Sequence, residues 1–366
     1  MPIEIESPEQ LGYGSIACNL AESSVSDAIY DDLGIDLGKL VLCYGDHLGK
    51  PELRELIASE SEHIKAEDIL LTAGAAAALF IVSTSLLEKT DHLVVMSPNY
   101  ATNIETPKAI GCEVSYLELE FEQGFRPDLQ KLRSLIRPNT KLISITCPHN
   151  PTGVMLTQTE LEKIIQIAEE YNIWLLIDET YRDLSFGRKL PMGASLSEKV
   201  ISVSSVSKAY GLPGIRLGWL ITRSKALQQL FLAAKEQIFL CNSVVDEEIA
   251  WRFLLKKESF LPAIRAHVQV NFSLLENWIS STPELEWIKP EGGVVCFPRI
   301  ISGSGIDINK FYISLNQKYS TYAGPGHWFE TSRRYMRLGF GWPKKKEFEQ
   351  GLKNISLALS ESHTSE

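Results

Sequence analysis

A few short stretches hold the residues whose types and spacing could do chemistry. "SVSSVSKAYGLPGIRLGW" (202–219) puts Lys208 among small polar residues just after an apolar run, where a lysine rarely sits unless its amine is used or paired. "CPHNPTG" (147–153) offers the amide of Asn150, and "IDETY" (177–181) offers the carboxylate of Asp178 and the phenol of Tyr181. "TAGAAAALF" (72–80) starts a helix right after a strand, so exposed N–H groups at Gly74, Ala75 and Ala76 and the positive dipole end suit a phosphate. An amine to form an imine, a carboxylate to keep a ring nitrogen protonated, donors for a ring oxygen and a phosphate cradle together describe one ligand. That ligand is pyridoxal phosphate, whose electron-sink character depends on a protonated ring nitrogen.

The elements that must position these groups are short apolar runs alternating with helical segments. Runs at 68–74, 92–98, 141–148, 173–179, 200–205 and 217–223 are expected to be buried strands. "TQTELEKIIQIAEEYN" (157–172) has helical spacing, with Leu161, Ile164, Ile165 and Ala168 on one face and Thr157 with Glu160 as a capping box. This alternation predicts an α/β fold, a large mostly parallel sheet with helices on both faces. In open sheets of this kind ligands bind beyond the carboxyl ends of the strands, where the polar residues above follow the apolar runs. After about residue 224 the pattern changes to long helical stretches (246–257, 263–281) and shorter strands at 293–300 and 334–341, expected to build a smaller α+β domain. The division read from the sequence is a large domain at 44–245, with 1–43 and 246–366 forming the small domain and an N-terminal arm.

Bulk properties exclude several classes. The chain has 366 residues, 44% hydrophobic and 22% charged, with a formal net charge of −10 and no basic cluster beyond "KKK" at 344–346. Nucleic-acid binding therefore lacks its electrostatic footprint. The six cysteines are far apart, with neither a CxxC pair nor a metal spacing, as expected of reduced thiols in the cytoplasm. No uncharged apolar stretch reaches the ~18 residues of a membrane helix, and "MPIEIESPEQ" lacks the plan of a signal peptide.

The stretches "YGDHLGKPELRELIA" (44–58), "TAGAAAAL", "SPNY", "CPHNPTG", "IDETY", "SVSKAYGLPGIRLGW" and "MRLGFG", in that order, resemble the class I/II aminotransferases of pyridoxal-phosphate fold type I. "EGGVVCFPR" and "MRLGFGWP" add a likeness to capreomycidine-synthase-type members. The resemblance implies that Lys208 holds the cofactor as an imine and moves the proton between Cα and C4′. It implies that Asp178 pairs with the ring nitrogen, that Tyr181 and Asn150 donate to the ring hydroxyl, and that Tyr100 stacks on the ring. Ser205 and Arg216 match phosphate ligands, as do Gly74, Ala75 and Ala76, although this loop lacks the serine or threonine of other members. Arg337 matches the grip on the substrate α-carboxylate, a two-pronged task that suits arginine. Tyr44 matches a tyrosine that reaches the neighbouring subunit's phosphate, which implies a homodimer. Pro98 and Pro151 match positions that follow cis peptide bonds.

The implied activity is transfer of an amino group between an L-amino acid and a 2-oxo acid. A lyase or cyclase acting at the β or γ carbon stays open, since the same carbanion can expel a substituent or be trapped. A ligand-sensing regulator is a third reading, opposed by the absence of a basic helix-turn-helix pattern in the roughly forty residues before "YGDHLG". The side chain accepted is left undecided by Gly12–Tyr13, the Tyr44 loop and "GPGHWFE" (324–330), where Trp328, Phe329, His327 and Glu330 point both ways. His149 is read as a turn residue.

Overall fold

The computed structural model describes residues 6–363. The first of its strands, β1 (Cys18–Asn19), is short. The six apolar runs become β2 (Ile69–Thr72), β3 (His92–Ser97), β5 (Thr140–Thr146), β6 (Trp174–Asp178), β7 (Val200–Ser205) and β8 (Gly218–Ile221), and β4 (Glu113–Glu118), a stretch not read as a strand, joins them. They form one seven-stranded sheet in the order β2-β8-β7-β6-β5-β3-β4. All neighbours are parallel except the two pairs made by β8, which is antiparallel to β2 and β7. The inner strands are buried along almost their whole length, because helices cover both faces of a parallel sheet. β4, at one edge, is half exposed and carries Glu113 and Glu118 at its ends, charges that discourage further strand pairing.

The helix Gln158–Glu170 forms where its spacing predicts, with Thr157 and Glu160 making a reciprocal capping box. It buries Leu161, Ile164, Ile165, Ile167 and Ala168, and each large aliphatic side chain contributes about 2 kcal/mol by leaving water. The helix Gly74–Leu86 packs against β7, β8 and the helix Lys225–Phe239. The expected helical stretches beyond 245 are the helices Val244–Leu255 and Lys257–Ser280.

The remaining strands are β9 (Leu285–Glu286), β10 (Val295–Cys296), β11 (Arg299–Ile300), β12 (Thr321–Tyr322), β13 (Gly324–Pro325) and β14 (Met336–Gly339). The single strand expected over 293–300 is instead split. β10 pairs with β14; Pro298 has no N–H to give but its carbonyl accepts from the Met336 amide, and β11 pairs with β9 while Arg299 also bridges Tyr335. β1 lies parallel to β12, and the Asn19 amide donates to Glu347 of the last helix, Lys345–Glu361, at 3.0 Å. The following strap, residues 20–28, then crosses to the lysine loop: the amides of Val25 and Ala28 donate to the carbonyls of Lys208 and Gly211. Among the described residues no helix is long and apolar enough to cross a membrane, and no group of three or more His, Cys, Asp or Glu could hold a metal ion.

Candidate active site

The sheet register gathers the reactive groups at one edge. Thr146 is level with Asp178, Asp178 with Val203, Ser205 with Gly218, and Gly218 with Thr72. Because β8 runs antiparallel, its first residue meets the last residues of β2 and β7. The turns beyond that edge therefore bring Gly74, Asn150, Lys208 and Arg216 towards Asp178.

The close approach of the Gly74 turn to Arg216 and β8 depends on what glycine leaves out. Gly74 opens the helix Gly74–Leu86 with φ +79°, and a Cβ there would lie 2.8 Å from the Arg216 guanidinium. A Cβ on Gly218 would lie 2.5 Å from Gly74 C and 2.6 Å from the Ala75 nitrogen. No side chain caps this helix, so its first N–H groups are left for a ligand, with a guanidinium beside them. Thr72, fully buried, braces the turn by donating to the Gly74 carbonyl at 2.9 Å. Ser205 is buried, and its Oγ accepts from the Ser207 amide at 3.3 Å.

Asp178 is a buried carboxylate with no ion pair among the described residues. Its Oδ1 accepts from the Thr180 amide at 3.0 Å and hydroxyl at 2.5 Å. Burial pushes its pKa up, opposed by the Thr180 bonds and the Lys208 charge. A buried acid so held fits a cationic ring nitrogen, which would repay the cost of keeping it ionised. Glu179, next in sequence, turns the other way, accepting from the Gly193 amide and the Ser202 hydroxyl.

The Lys208 side chain keeps 31% of its surface open to the cleft, and its Nζ donates to Ser23 Oγ at 3.1 Å with Glu22 Oε1 at 3.8 Å. Desolvation holds its pKa below the ordinary lysine value; Glu22 opposes this, while Arg337 and Arg216 add to it. That is the direction a nucleophilic amine needs. Arg337 is buried; its Nη1 donates to Asn150 Oδ1 at 3.2 Å and its Nη2 to the Ala21 carbonyl at 2.7 Å. The Tyr181 hydroxyl donates to the Ser23 carbonyl at 2.7 Å, and burial pushes its pKa up. The peptide bonds before Pro98, Pro148 and Pro151 are cis.

Other expected residues lie further out. Tyr100 is half-buried behind Asn99, whose Oδ1 accepts from the Tyr100 amide, Asn103 and Thr146. Tyr44 is 82% exposed and is not brought to Lys208 within this chain. His149 is buried, with Nδ1 2.8 Å from Thr152 Oγ1. His327 and Trp328 both contact Glu6, at 2.6 and 3.0 Å, and Phe329 packs under the Arg337 guanidinium. A cavity of about 90 Å³ lined by Glu60, Arg182, Asp183, Tyr210 and Lys257 includes none of Lys208, Asn150 or Arg337, and its charges are paired with one another. The sequence reading missed Glu22, Ser23, Thr180 and Asn99. The one signal for the first two was a polar triple, Glu22-Ser23-Ser24, directly after the apolar run ending at Ala21.

A mostly parallel sheet with an amine, a buried acid and a glycine-built anion cradle at its carboxyl edge defines a pyridoxal-phosphate enzyme of fold type I. Residues 21–355 match the family aminotransferase class I and II, and the chain belongs to it. It is a pyridoxal-phosphate-dependent aminotransferase. It is 28% identical to aspartate aminotransferase of Pyrococcus horikoshii, over 86% of this chain and 83% of that one. It is 27% identical to capreomycidine synthase of Streptomyces vinaceus, over 88% and 82%. Its structure superposes on that of a PLP-dependent aminotransferase from Streptococcus suis with TM-score 0.90 and 31% identity, covering 97% and 96% of the two chains.

Proposed function

We propose that Lys208 is the residue that carries the cofactor and shuttles the substrate's α-proton, and that the reaction moves an amino group from an L-amino acid to a 2-oxo acid. The observation that carries this is the amine of Lys208, its pKa held down by burial, electrostatically coupled to the buried, ion-unpaired Asp178. Asp178 would hold the ring nitrogen; Asn150 and Tyr181 would face the ring hydroxyl, and Tyr100 the ring. Gly74, Ala75, Ala76, Ser205 and Arg216 would hold the phosphate. The bound cofactor supplies an electron sink for the pair left at Cα. Arg337 fixes the substrate carboxylate, with Asn150 and the Ala21 carbonyl locking the guanidinium plane. Lys208, as a free neutral amine, would take the α-proton on Nζ and deliver it to the carbon on the other side of the substrate nitrogen, C4′ of the cofactor. Ser23 Oγ is within hydrogen-bond distance to steady Nζ meanwhile.

The same proposal includes a homodimer in which Tyr44 completes the neighbour's phosphate site. Val41, Leu42 and Tyr44, 71%, 78% and 82% exposed, form an apolar stretch that supports it. It also includes a cytoplasmic location, two domains (44–245, and 1–43 with 246–366), and only amino-acid and 2-oxo-acid partners. The pairing of β1 with β12 supports grouping the N-terminal arm with the C-terminal part. A second reading, a lyase or cyclase acting at the β or γ carbon, is favoured by the likeness to capreomycidine synthase.

Borohydride reduction of the holoenzyme followed by peptide mapping tests the central point. The label is expected on Lys208 and absent from Lys208→Ala; a label elsewhere overturns it. Conversion of the bound cofactor to its amine form by an amino-acid panel supports transfer, whereas ammonia release or a cyclised product supports the second reading.

A further inference from the structure

The strap over the lysine presents a carboxylate that the proposed reaction does not use. Glu22 is 8% exposed, and Lys208 is its sole ion-pair partner among the described residues. The Ser23 amide reaches Glu22 Oε1 at 3.1 Å and the Tyr13 hydroxyl reaches Oε2 at 3.4 Å. These are donors that orient the group without neutralising it. Glu9 and Asp27 add negative potential around Tyr13, and Glu9 also does so at Lys208. Arg337, another cation of the site, binds the carbonyl of Ala21 and Asn150 Oδ1 and makes no ion pair with Glu22.

We infer that Glu22 selects amino donors whose side chain ends in a cation, a second ammonium or a guanidinium, and rejects those ending in a carboxylate. This rests on the reading of Lys208 as the cofactor-bearing residue. Whether the Lys208 nitrogen is engaged by the cofactor or freed as the neutral amine that accepts the α-proton, Glu22 is without its one cationic partner and stays in a largely buried place where an unpaired carboxylate is costly. A donor with its carboxylate on Arg337 and its amine at the Lys208 nitrogen lies along residues 21–23, so its side chain meets Glu22. A cationic terminus restores the pair; an acidic one sets two carboxylates together. Tyr13, stacked on Trp342 with ring centroids 5.9 Å apart, offers an apolar wall for the methylene stem.

The test uses holoenzyme and α-methyl amino acids, which have no α-proton to lose: α-methylornithine, α-methylnorvaline and α-methylglutamate, with dissociation constants from calorimetry. Wild type is expected to bind the cationic analogue at least about tenfold more tightly than the neutral one, as for a charge-assisted hydrogen bond, and the acidic one most weakly. Glu22→Gln should remove the difference between the cationic and neutral analogues, and Glu22→Asp should keep part of it. Equal or tighter binding of the neutral or acidic analogue by wild type overturns the inference, and the wild-type panel decides even if the glutamine variant fails to fold. Absence of a borohydride-reducible cofactor on Lys208 would instead remove the reading beneath it.

Discussion

Tyr181, three residues beyond the strand end that carries Asp178, donates its hydroxyl proton to the carbonyl of Ser23, 158 residues earlier in the chain. The bond ties the carboxyl edge of the sheet to the strap that also touches Lys208 and Arg337. Tyr181→Phe leaves that carbonyl buried without this donor. Urea unfolding should show a loss of about 1–3 kcal/mol. An unchanged midpoint would mean that the bond adds nothing to the strap's docking.

Gly218 lies against the Gly74–Ala75 turn proposed to hold the phosphate. Gly218→Ala sets a methyl group against the backbone of Gly74 and Ala75, neither of which can move aside as a side chain would. Overpacking of this kind costs about 1–3 kcal/mol. It should appear mainly as cofactor affinity weakened about tenfold or more, measured by fluorescence titration of apoenzyme, with the far-UV circular dichroism spectrum retained. Undiminished affinity would argue against this loop as the phosphate site.

Arg337 is held by two hydrogen bonds that fix its plane, so Arg337→Lys keeps the charge and loses the fork. KM for the amino donor should rise about tenfold or more, because one of two charge-assisted bonds is lost. The visible spectrum of the bound cofactor should stay as in wild type. A spectrum that changes while KM stays put would assign Arg337 to the cofactor instead.

His149 is buried, and burial lowers its pKa from 6.5 to about 4. Between those values the unfolded chain binds a proton that the folded one refuses, so stability falls as pH drops through that window and is fully present above 6.5. The loss approaches about 3 kcal/mol at the acid end. His149→Gln should flatten the difference between unfolding free energies at pH 7 and pH 5 relative to wild type. Equal pH slopes in the two proteins would refute the assignment.

The sheet was legible because parallel strands buried on both faces read as apolar runs, and the reactive residues follow those runs within three or four positions. Lys208 and Asn150 sit just past such runs and Asp178 closes one, so local pattern was enough to nominate them. Glu22 and Ser23 were not legible. Their nearness to Lys208 depends on docking across more than 180 residues, and their own stretch is too short to show a period. The break at Pro298 was misread for a related reason. A proline inside an apolar run is written in the sequence, but the pairing gained with β9 beyond it is a tertiary fact.

The anchoring of Asn19 by Glu347, and the fit of Gly339 beneath the carbonyl of Glu22, where any Cβ would clash, have a consequence for synthesis. The peptide that lies over the Lys208 amine is translated 328 residues before the glutamate that pins it. Lys208 is therefore covered only once that helix has been made, and a nascent chain that already carries Asp178, Lys208 and Arg337 holds the lysine unroofed.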